Sequence, residues 1–89
     1  MNIEYLPSFI KDLKDLRGTP VYQAVYTIAF EEIPEIKDIR DIQSLKKMKG
    51  EASAYRIRAG NYRIGIFITA TTITFSRVLH RREIYRYFP

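Results

Sequence analysis

Eighty-nine residues, 46% hydrophobic and 13% aromatic, can furnish one small core, so a single domain over residues 1–89 is expected. The lack of cysteine excludes disulfides and thiolate metal sites, a lone histidine argues against a structural zinc, and no metal or cofactor is expected. No apolar run has the length of a membrane span and the N-terminus lacks the features of a signal peptide, so the expectation is a soluble cytoplasmic protein with no membrane partner.

The formal net charge of +5 is unevenly placed. Up to Gly50, eight basic and eight acidic residues cancel, whereas beyond it seven arginines (Arg56, Arg58, Arg63, Arg77, Arg81, Arg82, Arg86) face only Glu51 and Glu83. Arginine presents a planar fork that grips phosphate or carboxylate with two donors, so an all-arginine basic region leans toward recognising such groups. Charge alone leaves nucleic acid and an acidic peptide equally open.

Met1 to Leu6 alternates and predicts a first strand stopped by Pro7. Ser8 then caps a helix whose apolar face is Phe9, Ile10, Leu13 and Leu16, ending at Arg17-Gly18. Thr19-Pro20 combines a hydroxyl cap with proline at the first helical position and predicts a second helix to about Ile33, since Pro34 disfavours helix just before it. The apolar positions of this helix cover more than one stripe, so it is buried on two sides or meets another chain. From Ile36 to Met48 apolar residues recur every third position, which suits neither strand nor long helix; a meandering connection with one short helical turn is expected.

Residues 55–68 read as two strands joined through Ala59-Gly60-Asn61. Alternation puts Tyr55 and Ile57 on one side with Tyr62, Ile64, Ile66 and Ile68, and Arg56, Arg58 and Arg63 on the other. A two-residue loop at either Ala59-Gly60 or Gly60-Asn61 sets Arg63 opposite Arg56 or Arg58, an unfavourable like-charge pairing that calls for an anion over the face. A third strand follows from Thr72, after a loop at Ala70-Thr71 that matches Ile68 with Ile73 and Ile66 with Phe75. Unbroken alternation carries His80 to the arginine face and Arg77 to the core side, with Arg81 and Arg82 leaving the strand at that end. The expected fold class is α+β: an N-terminal strand, two helices, then an antiparallel β-meander packed against the helices.

The segments Leu-Lys-Lys-Met-Lys-Gly (45–50), Tyr-Arg-Ile-Arg-Ala-Gly-Asn-Tyr-Arg-Ile (55–64) and Leu-His-Arg-Arg-Glu-Ile-Tyr (79–85) together resemble the toxins of the RelE/ParE superfamily, over nearly the full length. The resemblance implies the toxin of a toxin–antitoxin pair, held in a hetero-oligomer by its cognate antitoxin. RelE-type members cleave messenger RNA on the ribosome, and ParE-type members poison DNA gyrase. Matched to the RelE branch by motif, the catalytic candidates are Arg56, Arg58, Arg63, Arg81 and Tyr85, with His80 as a further one, and Arg56, Arg58, Arg63 and Arg82 are the candidates for RNA or phosphate binding. Many relatives continue into a C-terminal helix, whereas this sequence stops at Pro89, which implies a more exposed Tyr85.

The implied chemistry is metal-free attack of a ribose 2′-hydroxyl on the adjacent phosphate. Arginines would hold the charge that grows in the transition state, Tyr85 would act as base or as a stacking platform, and His80 or Arg81 would serve the leaving oxygen. Two other functions stay open: a gyrase poison acting through helices and tail, and a catalytically inactive module for antitoxin binding and repression. Residue by residue there are plainer readings too, with Arg56 and Arg58 as a solvated strand face, His80 as structural, and Tyr87 and Phe88 as core or antitoxin contacts.

Overall fold

A computed structural model describes all 89 residues, Met1–Pro89. The chain runs β1 (Asn2–Tyr5), α1 (Pro7–Asp15), α2 (Pro20–Tyr26), β2 (Leu45–Lys47), β3 (Ala54–Ala59), β4 (Tyr62–Ile68), β5 (Thr72–His80) and α3 (Ile84–Tyr87). The strands form one five-stranded sheet in the order β1-β5-β4-β3-β2, with β1 parallel to β5 and the other pairs antiparallel. The expected strand, helices and meander are all present, and β2 adds a strand that the three-residue period had concealed.

Local chemistry explains the differences at the helices. Proline rather than Ser8 opens α1, at Pro7, and the Ser8 hydroxyl instead donates to the Ser76 carbonyl at 2.6 Å. The Thr19 hydroxyl likewise caps no helix, but donates back to the Leu16 carbonyl at 2.7 Å and closes the turn between the helices. Beyond Tyr26 the helical path loosens into a π segment, Thr27–Glu32, and tightens into a 3-10 turn, Ile33–Glu35. Pro34 therefore does not end it: it stands at the start of a new turn, where its missing N–H has no bond to lose. The expected short turn in the following connection is Ile39–Asp41, capped by Asp38, whose carboxylate accepts from the Arg40 backbone N–H at 2.8 Å.

The hairpin between β3 and β4 takes the second of the two possible loops. Ala59 pairs with Tyr62, leaving Gly60-Asn61 as the loop, so Arg58 stands directly opposite Arg63. Gly60 adopts φ +60°, the positive value that a tight hairpin needs at its first loop position and that glycine reaches without steric cost. Between β4 and β5, Ile68 meets Ile73 and Ile66 meets Phe75 as expected, but Ile64 then meets Val78. The extra residue is Ser76, a β-bulge that reverses the facing of everything after it.

One face of the sheet packs on the helices. Phe9, Val25, Ile57, Ile64, Ile66, Ile73 and Phe75 are all but fully enclosed there, each such side chain contributing roughly 1.5–3 kcal/mol of hydrophobic stabilisation. On the opposite face a second, small core gathers Met48, Ala54, Ile84 and Phe88, with Phe67 and Leu79 against it. The remainder of that face is cationic. No helix is long and apolar enough to cross a membrane.

Candidate nucleic-acid interface

The cationic face is built by register. Arg58 pairs with Arg63 across β3 and β4, and Lys46 pairs with Arg56 across β2 and β3, so alternation sets all four on the side away from the helices. Lys46 is a member that motif reasoning missed. Its signal was present in the sequence, since a short strand through Leu45, Lys46 and Lys47 puts Leu45 inward and Lys46 outward, but the longer three-residue period masked it.

Arg63 is the centre of the cluster. Its guanidinium donates from Nη1 to the Gly60 and Tyr62 carbonyls, both at 2.9 Å, which ties a flexible side chain to the hairpin loop. Burial pushes its pKa below the ordinary arginine value, and the neighbouring charges of Arg56, Arg58 and Arg81 push the same way against an opposing contribution from Tyr85. The Arg81 backbone N–H donates to the Asn61 carbonyl at 2.8 Å, so the chain leaves β5 at the same hairpin loop to which Arg63 is tied. The Arg56 guanidinium carbon lies 5.9 Å from the centre of the Tyr85 ring, and Tyr85 is 60% exposed. None of Arg56, Arg58, Arg63, Arg81 or Lys46 forms an ion pair with a carboxylate.

Two open hollows adjoin the cluster. One of about 370 Å³ is bounded by Lys46, Lys49, Arg56, Tyr85 and Phe88 among others, and one of about 340 Å³ by Lys46, Arg56, Arg58 and Arg63 with the preceding loop. A concave, positively charged surface with an exposed aromatic ring can hold a phosphodiester backbone and stack a base. No three His, Asp or Glu side chains converge closely enough to hold a metal ion.

His80 is not brought into this group. The bulge at Ser76 turns it to the helix side of the sheet, opposite Tyr62, where its ring meets the Tyr62 ring edge-on at 5.5 Å. Its Nδ1 accepts from the Arg82 backbone N–H at 3.2 Å, so the histidine shapes the exit of β5. Arg82 itself is exposed on that exit. The same bulge corrects Arg77, which pairs with Gly65 on the cationic side rather than facing the core. Arg77 reaches the sheet edge, where its Nε and Nη2 donate to the Asp12 carboxylate at 2.7 and 3.1 Å. Tyr85 is exposed, Phe88 is buried in the small core, and Tyr87 lies outside it with its ring 5.5 Å from the Arg77 guanidinium carbon.

A small α+β fold with an uncompensated arginine face and a tyrosine at its rim defines a class of protein that handles phosphate-bearing polymers or acidic partners. Comparison with known proteins narrows it. The family described as "ParE toxin of type II toxin-antitoxin system, parDE" matches residues 3–85. Toxin RelE3 of Methanocaldococcus jannaschii is 42% identical over 89 residues, covering all of both chains. Among solved structures, the toxin chain in the RelB-RelE antitoxin–toxin complex from Methanococcus jannaschii superposes with a TM-score of 0.78 at 41% identity, covering 97% of this chain and 99% of that one. A chain of the RelBE2 toxin–antitoxin complex from Mycobacterium tuberculosis gives 0.69 at 25% identity, covering 90% and 96%. YafQ from E. coli, at 15% identity and a TM-score of 0.71 over 94% and 97% of the two chains, shares the fold. The chain belongs to the RelE/ParE superfamily of toxins of type II toxin–antitoxin systems.

Proposed function

We propose that this toxin is a ribosome-dependent endoribonuclease that cuts messenger RNA in the cytoplasm, its 89 residues acting as one catalytic domain. The observation that carries the reading is the gathering of Arg56, Arg58 and Arg63 on one side of the sheet, with Tyr85 against Arg56 and Arg81 at the hairpin loop, and no carboxylate to neutralise them. A gyrase poison has no need of that constellation, and an inactive antitoxin-binding module could lose it without consequence.

In the proposed reaction the ribose 2′-oxygen attacks the adjacent phosphorus and the bond from phosphorus to the 5′-oxygen breaks. The products are a 2′,3′-cyclic phosphate and a 5′-hydroxyl. Arg56, Arg58 and Arg63 face the equatorial oxygens of the phosphorane, where donors fixed in advance stabilise charge that grows only in the transition state. Arg63 is best placed for this, being held by two carbonyls before the substrate arrives. Tyr85, open to solvent beside Arg56, takes the 2′-proton as its phenolate, becoming the neutral phenol, or stacks on a base of the message. Arg81, whose backbone joins the hairpin loop at Asn61, serves the departing 5′-oxygen, which becomes the hydroxyl by taking a proton from that guanidinium or from solvent. His80 lies across the sheet and has no direct part. A cluster so rich in electrostatic donors and so poor in strong bases depends on the ribosome to align its substrate.

The related toxins from M. jannaschii and M. tuberculosis are found in complexes with their antitoxins. By the same logic this toxin is held by a cognate antitoxin that lays an acidic segment near the arginines, an arrangement whose affinity falls with salt. Cell-free translation with added toxin, followed by primer extension, tests the activity. Codon-spaced cuts that vanish with Arg63→Ala are expected, and uncut messages accompanied by gyrase-linked DNA breaks would overturn the reading.

A further inference from the structure

Helix α3 has four residues, too few to persist alone, so its surroundings decide where its tyrosines stand. Three strands supply those surroundings in one row. Arg56 on β3 pairs with Gly65 on β4, and Gly65 pairs with Arg77 on β5. The tail lies across this row. Tyr85 is over Arg56, with 5.9 Å from ring centre to guanidinium carbon, and Tyr87 is over Arg77 at 5.5 Å. Between them Phe88 sits on Gly65, so closely that a Cβ there would fall 2.6 to 2.9 Å from three of its ring carbons.

Gly65 has no positive φ, so backbone freedom does not account for it; close approach of another group does. Phe88 is only 2% exposed, its ring is 5.0 Å from that of Phe67, and its N–H donates to the Ile84 carbonyl at 2.8 Å. The outer tyrosines, by contrast, are more than half exposed and cannot fix the helix by burial. We infer that Phe88, seated over Gly65, is a positioning residue that, together with the buried Ile84 at the other end of α3, holds Tyr85 in the arginine cluster. The catalytic part of this inference rests on the reading of Tyr85 given above, and the seating itself does not.

The test pairs a structural readout with a kinetic one, on the full chain. Phe88→Ala and Gly65→Ala are each expected to speed amide exchange in residues 84–88 while leaving β3, β4 and β5 protected. Single-turnover cleavage of ribosome-bound message should fall about 100-fold, the cost of a misplaced group, with toxin affinity for the ribosome unchanged. The double variant Tyr85→Ala/Phe88→Ala should cut no more slowly than Tyr85→Ala, because Phe88 acts only through the tyrosine. Phe88→Leu, which keeps an apolar plug, should retain most of the rate. Multiplicative losses in the double variant, or a loosened tail with full cleavage, would overturn the inference. If Phe88→Ala does not fold, Gly65→Ala carries the same comparisons. A wild type that leaves messages uncut removes the catalytic reading, and the exchange result then decides the seating by itself.

Discussion

Arg77 and Arg63 rise from the same face of one sheet and are treated in opposite ways. Arg77 meets the Asp12 carboxylate through two donors, and Asp12 also accepts from the Val78 N–H at 3.1 Å, so the pair joins α1 to the edge of β5. The carboxylate raises the Arg77 pKa above the ordinary value. Arg63 has its pKa lowered by burial and by three further arginines, and its only fixed partners are backbone carbonyls. One arginine is finished by the fold. The other is held in place yet left unneutralised, which costs the folded state something and is recovered when an anion arrives. Neutralising the first should damage stability, and neutralising the second should damage function.

The largest expected effect is on cleavage. Arg63→Ala should lower the single-turnover rate by roughly 10²–10³-fold, about 3–4 kcal/mol, with no loss in the thermal midpoint because a like-charge contact disappears with it. Asp12→Ala should do the reverse: about 3 kcal/mol of stability is lost, read from the urea midpoint, because a half-buried guanidinium and a strand N–H both lose their acceptor, while the folded fraction still cuts. Next comes the anion itself. A short RNA oligonucleotide at about a hundred times its Kd should stabilise the wild type by ~2.7 kcal/mol, measured as a rise in midpoint, and Arg63→Ala should lose most of that rise. The smallest effect belongs to Lys46→Ala, which should weaken RNA binding uniformly across sequences and reduce the slope of log affinity against log salt by about one. Equal damage to stability and to cleavage from Arg63→Ala would break the comparison.

Much of this was legible because strand alternation is local. Arg56, Arg58 and Arg63 share a face in either hairpin register, so their grouping did not depend on knowing which loop formed. His80 and Arg77 were misplaced by a single residue. A bulge at Ser76 carries no signature in its own side chain: its position is fixed by the Ser8 hydroxyl on its carbonyl and by Asp12 on the Val78 N–H, both more than sixty residues away in sequence. The seat of Phe88 over Gly65 is equally non-local, and a glycine in a strand reads from sequence only as a weakness. Strand β2 escaped for a different reason. Three residues are too few for alternation to stand out, and their place in the sheet is dictated by β3.

That short strand also closes the sheet. A final strand exposes a row of unsatisfied N–H and C=O groups to any other extended chain, and the usual protections are brevity and lysine. Of the two edges, β1 and β2, the β2 edge is three residues long, two of them Lys46 and Lys47, with Lys49 just beyond. The side chains that widen the cationic surface thus also discourage self-association of a basic, strand-rich protein. Variants that strip these lysines to weaken RNA binding should therefore be checked for aggregation before their loss of activity is read as chemistry.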